Sequence, residues 1–169
     1  MTLVSTDWLD ENKNKVKILD ASWHLIKNRN AIEEYTNEHI ENSIFFDLDR
    51  NSNQKKYLVH GHFLPPKNYH EKVISEMGIS NKDKIIIYCN SDLISSCRAW
   101  FQFLYFGHNT NLISVLDGGM KKWKLENKDI TNAKTKITSS RYISKENKNM
   151  IKKKSQIDEN IKKKKFIVL

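Results

Sequence analysis

The sequence predicts an α/β fold built on a mostly parallel sheet with helices on both faces. Three observations predict it. Four short apolar runs recur along the chain: VKIL at 16–19, IFF at 44–46, IIIY at 85–88 and LISVL at 112–116. Continuous apolar runs of this length suit strands covered on both faces, as parallel sheets require. Stretches of helical period lie between them, and a β-α-β-α order makes parallel connections.

The elements follow in order. VKIL at 16–19 reads as a buried strand. Asn30 can cap the next helix, with Glu33 at capping-box spacing and Ile32 and Tyr35 marking its buried face. IFF at 44–46 reads as a strand leading into Asp47. Tyr69, Val73 and Met77 recur at a spacing of four, and Gly78 stops that helix. IIIY at 85–88, preceded by the polar run SNKDK, is the clearest strand. Leu93, Cys97, Trp100, Phe101 and Leu104 form an apolar stripe on a helix ending near Gly107. After LISVL, Gly118 and Gly119 make a tight turn, and a short helix carries Met120 and Trp123.

The totals narrow the function classes. A chain of 169 residues, 38% hydrophobic, holds one core and not two. No apolar run approaches the roughly 20 residues that span a bilayer, and no leading stretch resembles a signal peptide, so no membrane partner is expected. Cys89 and Cys97 are too few for a disulfide scaffold, and their spacing suits no metal-ligand pair. A reducing, cytoplasmic setting without a metal is the expectation. Of the net charge of +9, residues 141–165 carry most: ten lysines and arginines against Glu146, Asp158 and Glu159. A basic tail can meet nucleic acid, but no aromatics interleave here to stack on bases. A solvated linker is the expected role.

From about Thr138 the apolar pattern fades. Then QIDENIKKKKFIVL at 156–169 repeats the order of WLDENKNKVKIL at 8–19. The expected organisation is one domain over 1–139, a basic linker over 140–155, and the opening of an incomplete second unit over 156–169. FIVL at 166–169 would be that unit's first strand. An unpaired apolar strand invites aggregation, so the chain is expected to be truncated.

Chemistry is concentrated in IIIYCNSDLISSCRAWF at 85–101. Cys89 follows a buried strand, and Ser95 and Ser96 then open a helix. A thiol at that junction meets the N–H groups of the intervening loop, which includes Asn90, Ser91 and Asp92, and the positive end of the helix. Both favour the thiolate, which is the nucleophile. It could attack a sulfur donor and hold a persulfide, also an anion, in the same cradle. Cysteine is also among the most buried residue types, so an inert strand-end Cys89 stands beside the reactive one. Cys97 lies on the apolar stripe and reads as core. Cysteine phosphatases place an arginine six positions after the nucleophile; here that position is Ser95 and the nearest arginine is Arg98. The phosphate clamp is absent at the needed spacing.

Seven segments carry a resemblance: LVSTDWL near the start, ILDASWHL at 18–25, EHIENSIFFDLD at 38–49, HFLP at 62–65, MGISNKDKIIIYC at 77–89, RAWFQFLYFGH at 98–108 and LISVLDGGMKKW at 112–123. Together, and in this order, they resemble the two-domain thiosulfate and 3-mercaptopyruvate sulfurtransferases of the rhodanese family. The resemblance implies a rhodanese-like parallel sheet and transfer of sulfur from thiosulfate or 3-mercaptopyruvate to a thiol or cyanide, with no cofactor. It implies a second rhodanese domain as partner, which normally holds the catalytic cysteine. The family's first domain usually has an acidic residue where this chain has Cys89, and active loops often carry glycines that NSDLI lacks. The resemblance further implies that Asp49 and His62 assist across the domain interface by moving a proton. Asn90, Ser91, Asp92 and Arg98 are the expected substrate contacts. The alternative is a catalytically silent half that scaffolds a catalytic domain. HIENS at 39–43 stands where the family usually turns on Pro-Gly, and Asn42 can make that turn because asparagine tolerates left-handed geometry.

Overall fold

The four apolar runs form strands, and a fifth joins them from the N-terminus. The computed structural model describes residues 2–25, 28–53, 62–92 and 94–167. Strands β1 (Thr2–Val4), β2 (Lys17–Asp20), β3 (Ser43–Phe45), β4 (Ile85–Tyr88) and β5 (Ile113–Leu116) make one sheet in the order β1-β5-β4-β2-β3. All four pairings are parallel. The helices are α1 (Thr6–Asn12), α2 (Ala31–Asn37), α3 (Lys67–Glu76), α4 (Ser95–Tyr105), α5 (Gly119–Leu125) and α6 (Lys154–Lys163).

β4 is the middle strand, and all four of its residues are buried. Side chains alternate across a strand, so the run IIIY serves two cores at once. Ile85 and Ile87 join Leu19, Ile44 and Ile113 beneath Ile74 of α3 and Ala99 and Phe103 of α4. Ile86 and Tyr88 face the other way, with Ile18 and Leu116, against Leu9 of α1 and Met120 and Trp123 of α5. The expected α/β sheet covered on both faces is therefore present.

Local signals act as expected in several places. The Asn30 side chain accepts the Ile32 and Glu33 amides and caps α2. Asn42 turns the chain with φ +65°. α3 ends just before Gly78, whose φ is +69°.

The fold departs from the sequence reading at five points. β1 and α1 are absent from the sequence reading, because three residues are too few to show a period. Ile32 is exposed; α2 has no buried residue, and half-buried Tyr35 meets the body through its ring, against Phe45 and His39, and its hydroxyl, donated to the Ser43 carbonyl. On α4 the residues Cys97, Trp100, Phe101 and Leu104 are half-buried, while Ser96, Ala99, Gln102 and Phe103 are buried; Leu93 lies outside the described residues. Trp100 and Leu104 still pack against the core cluster that holds Ala99 and Phe103, so the large apolar residues mark the edge of the buried face and not its centre. Residues 140–147 do not behave as a linker. Tyr142 is in the core, the Ser140 and Tyr142 amides bond to Ser75, the Ser144 amide bonds to Glu71, and the Lys145 and Asn147 amides bond to the carbonyls of Phe106 and Tyr105. The packed body runs through Asn147. Beyond it, the DEN of 158–160 lies in α6 as the DEN of 10–12 lies in α1. Phe166 and Ile167 are not in a strand, and residues 168–169 lie outside the description.

Candidate active site

Parallel sheets present ligands at the carboxyl ends of their strands, and the predicted site residues gather there. Cys89 follows β4 directly and is half-buried. Its thiol lies 3.5 Å from the Ser96 hydroxyl on the first turn of α4. Its carbonyl accepts the Met120 amide at 3.1 Å. Gly119 stands against the same carbonyl: with φ +54°, a Cβ there would sit 2.6 Å from the Cys89 oxygen. The Gly118–Gly119 turn, expected to be structural, thus fixes the strand end that carries the thiol.

The loop after Cys89 is tied down by groups that sequence reasoning missed. The Asn90 amide donates to the Ser22 hydroxyl at 2.7 Å, and Ser22 donates to Asp20 at 2.5 Å. Burial pushes the Asp20 carboxyl above the ordinary range. The Asn90 side chain donates to Glu34 at 2.9 Å, and its carbonyl accepts from Arg29 at 2.9 Å. Arg29 clamps Glu34 with two hydrogen bonds, of 2.8 and 2.7 Å, and reaches Asp92 at 3.5 Å. That guanidinium, first among several causes, holds the Glu34 carboxyl below its usual range. His24 pairs with the same carboxylate at 3.1 Å. The Ser91 hydroxyl accepts the Trp23 amide at 2.8 Å and lies 2.9 Å from the Ser95 hydroxyl. Arg29 and Glu34 sit in and after a polar loop and left no periodic signal; only the tertiary fold brings them to Asn90.

The predicted residues divide between two cavities. Cys89, Asn90, Ser91 and Asp92 line a cleft of about 700 Å³, together with Cys97, the Gly118–Gly119 turn and Lys121. Asp49 lines a second cavity of about 280 Å³ beside Trp23 and His24. His62 bonds Asp49 at 2.5 Å, and the Trp23 indole donates to the same Asp49 oxygen at 3.0 Å. His62 itself holds a left-handed φ of +41°, a conformation that side chains other than glycine seldom adopt. Arg98 donates to the His62 carbonyl at 2.5 Å. Burial lowers its guanidinium from the ordinary value, though an arginine remains charged at any physiological pH. So the structure joins Asp49, His62 and Arg98 in one cluster and Cys89 to Asp92 in another, with Trp23 touching both through Asp49 and Ser91.

Comparison with known proteins gives these clusters a context. A family model for the rhodanese-like domain matches residues 5–126. The chain is 40% identical over 131 residues to the mitochondrial thiosulfate/3-mercaptopyruvate sulfurtransferase 1 of Arabidopsis thaliana, covering 76% of this chain and 34% of that protein. It is 32% identical over 176 residues to the 3-mercaptopyruvate sulfurtransferase of Mus musculus, covering 99% of this chain and 58% of the mouse protein. Among solved structures, a 3-mercaptopyruvate sulfotransferase from Escherichia coli superposes with a TM-score of 0.87 at 24% identity, over 96% of this chain and 62% of the other. That likeness is one of fold. The chain thus spans between about a third and three fifths of these relatives.

Proposed function

The chain belongs to the family of rhodanese-like domains, and from that premise we propose that it is a sulfurtransferase unit in which Cys89 carries sulfur as a persulfide. One observation carries the reading: within this family fold, a thiol stands at the carboxyl end of the central strand and lines the larger cleft. The Cys89 thiolate attacks the sulfane sulfur of thiosulfate, the sulfur–sulfur bond breaks and sulfite leaves. With 3-mercaptopyruvate the carbon–sulfur bond breaks, and the departing pyruvate enolate takes a proton. Cyanide or a thiol then removes the outer sulfur. Both donors are anions, and Lys121 lines the cleft without an ion pair among the described residues. Asn90, Ser91 and Asp92 shape the loop beside the sulfur. In a longer protein with a second rhodanese domain, the Asp49–His62 pair would hold a proton for a cysteine on that domain, with Arg98 fixing the His62 backbone.

A specific observation favours the second reading, a silent half that scaffolds another domain. The Asn90 amide, first in the loop, is donated to Ser22 and not turned toward the sulfur. Turnover separates the two. Thiocyanate formed from thiosulfate and cyanide, lost in Cys89→Ser, is the result expected for a sulfur carrier. Equal rates in the two proteins would leave only the scaffold.

A further inference from the structure

Cys89 is not the only thiol in its cleft. Cys97, eight residues on and expected from the sequence to be core, is half-buried and lines the same cavity of about 700 Å³. The two are neighbours through Ser96, whose hydroxyl lies 3.5 Å from the Cys89 sulfur and which directly precedes Cys97 in the first turn of α4. That turn has no side-chain cap, and side-chain contacts of the buried Ser95 and Ser96, to Ser91 and Cys89, hold it in place. Its N-cap is Ile94, which supplies no side-chain hydrogen bond and is 71% exposed. Helix starts that lack a polar cap fray more readily. A backbone bond runs across the turn from the Cys97 amide to the Ile94 carbonyl at 3.2 Å.

Resting on the persulfide reading above, we propose that Cys97 is a resolving thiol that discharges the Cys89 persulfide as hydrosulfide. The Cys97 sulfur attacks the inner sulfur of the persulfide, Cys89 Sγ. A Cys89–Cys97 bond forms, and the bond from Cys89 Sγ to the outer sulfur breaks. The electron pair leaves on the outer sulfur, which takes the thiol proton and departs as hydrosulfide. Cys97 is oxidised from thiol to disulfide and the sulfane sulfur is reduced to sulfide, so no outside oxidant is needed. The sulfur atoms must close to about 2.05 Å with Cβ atoms roughly 3.5–4.5 Å apart, a closure that requires the uncapped first turn of α4 to open.

The position also sets the pace. Burial, and then the neighbouring Cys89, push the Cys97 thiol above its ordinary range. The thiolate is the attacking form. Discharge is therefore slow at neutral pH and rises about tenfold per pH unit below the Cys97 pKa. A loaded Cys89 keeps its sulfur long enough to meet an external acceptor, and gives it up as sulfide when none arrives.

The test uses the whole chain with 3-mercaptopyruvate or thiosulfate and no external thiol. The unaltered protein should release up to one equivalent of sulfide and lose both free thiols, faster at higher pH. Cys97→Ser should gain a stable extra sulfur and release no sulfide; Cys89→Ser should do neither. Sulfide release from Cys97→Ser at the unaltered rate, or a persulfide equally long-lived in both, would overturn the proposal. If neither protein takes up sulfur, the loading step itself fails, a result distinct from loading without discharge. Treatment of the unaltered, unloaded chain with diamide adds an independent arm. An intramolecular Cys89–Cys97 disulfide in the monomer is expected, and its absence would overturn the proposal whatever the donors do.

Discussion

At the scale of single residues, position in the fold decides what each group can do. Gly119 shows it best. Its left-handed φ and its contact with the Cys89 carbonyl leave no room for a side chain. Gly119→Ala should destabilise the chain by about 1–3 kcal/mol, read as a lower urea midpoint, and should disturb Cys89 specifically. An unchanged midpoint would mean that the turn shifts without strain. Cys89 was legible from its place after a buried strand, and Asp49 and His62 only through the family resemblance. Their partners were not: Arg29, Glu34, Ser22 and Trp23 reach them from distant parts of the chain, and residue type alone carries no sign of such a meeting.

At the scale of elements, the packing of α3 and α4 against the segment through Asn147 yields a pH dependence. His70 of α3 stacks on Phe106 at 3.9 Å and bonds the Ser144 hydroxyl at 2.8 Å. Burial lowers its pKa to about 3. The unfolded chain binds a proton on His70 below about 6.5, and the folded chain does not until near 3. This group's contribution is therefore whole above the unfolded pKa and is lost as pH falls toward the folded one. Between pH 7.5 and 5 the loss from His70 alone is about 2 kcal/mol. Urea unfolding at both pH values should show it, and His70→Phe should flatten the slope; an unchanged slope would assign the effect elsewhere. Tyr142 from the same segment is buried beside His108. Tyr142→Ala should cost about 3 kcal/mol, and a chain ended at residue 139 should unfold at lower urea than one ended at 150. Equal midpoints would restore the boundary expected from the sequence. The packing of 140–147 left no sign in the sequence because a segment held by backbone bonds and one tyrosine has no apolar period. The strands were legible for the opposite reason: IIIY fills both cores and must be apolar at every position.

At the scale of the whole molecule, five parallel strands bring Cys89, the Asn90–Asp92 loop and the Asp49–His62–Arg98 cluster to one end of a sheet. The fold class could be read from the apolar runs alone. The division of the site into two cavities could not, because it depends on where α2 and the Trp23 loop settle over the strand ends. The central claim is that this arrangement makes Cys89 a sulfur acceptor. The most direct measurement is the intact mass of the Cys97→Ser chain after incubation with 3-mercaptopyruvate, and separately with thiosulfate. The Cys89→Ser, Cys97→Ser double variant stands beside it. The account predicts a gain of one sulfur atom, reversed by cyanide and absent from the double variant. No gain with either donor would contradict it and leave the domain as a scaffold.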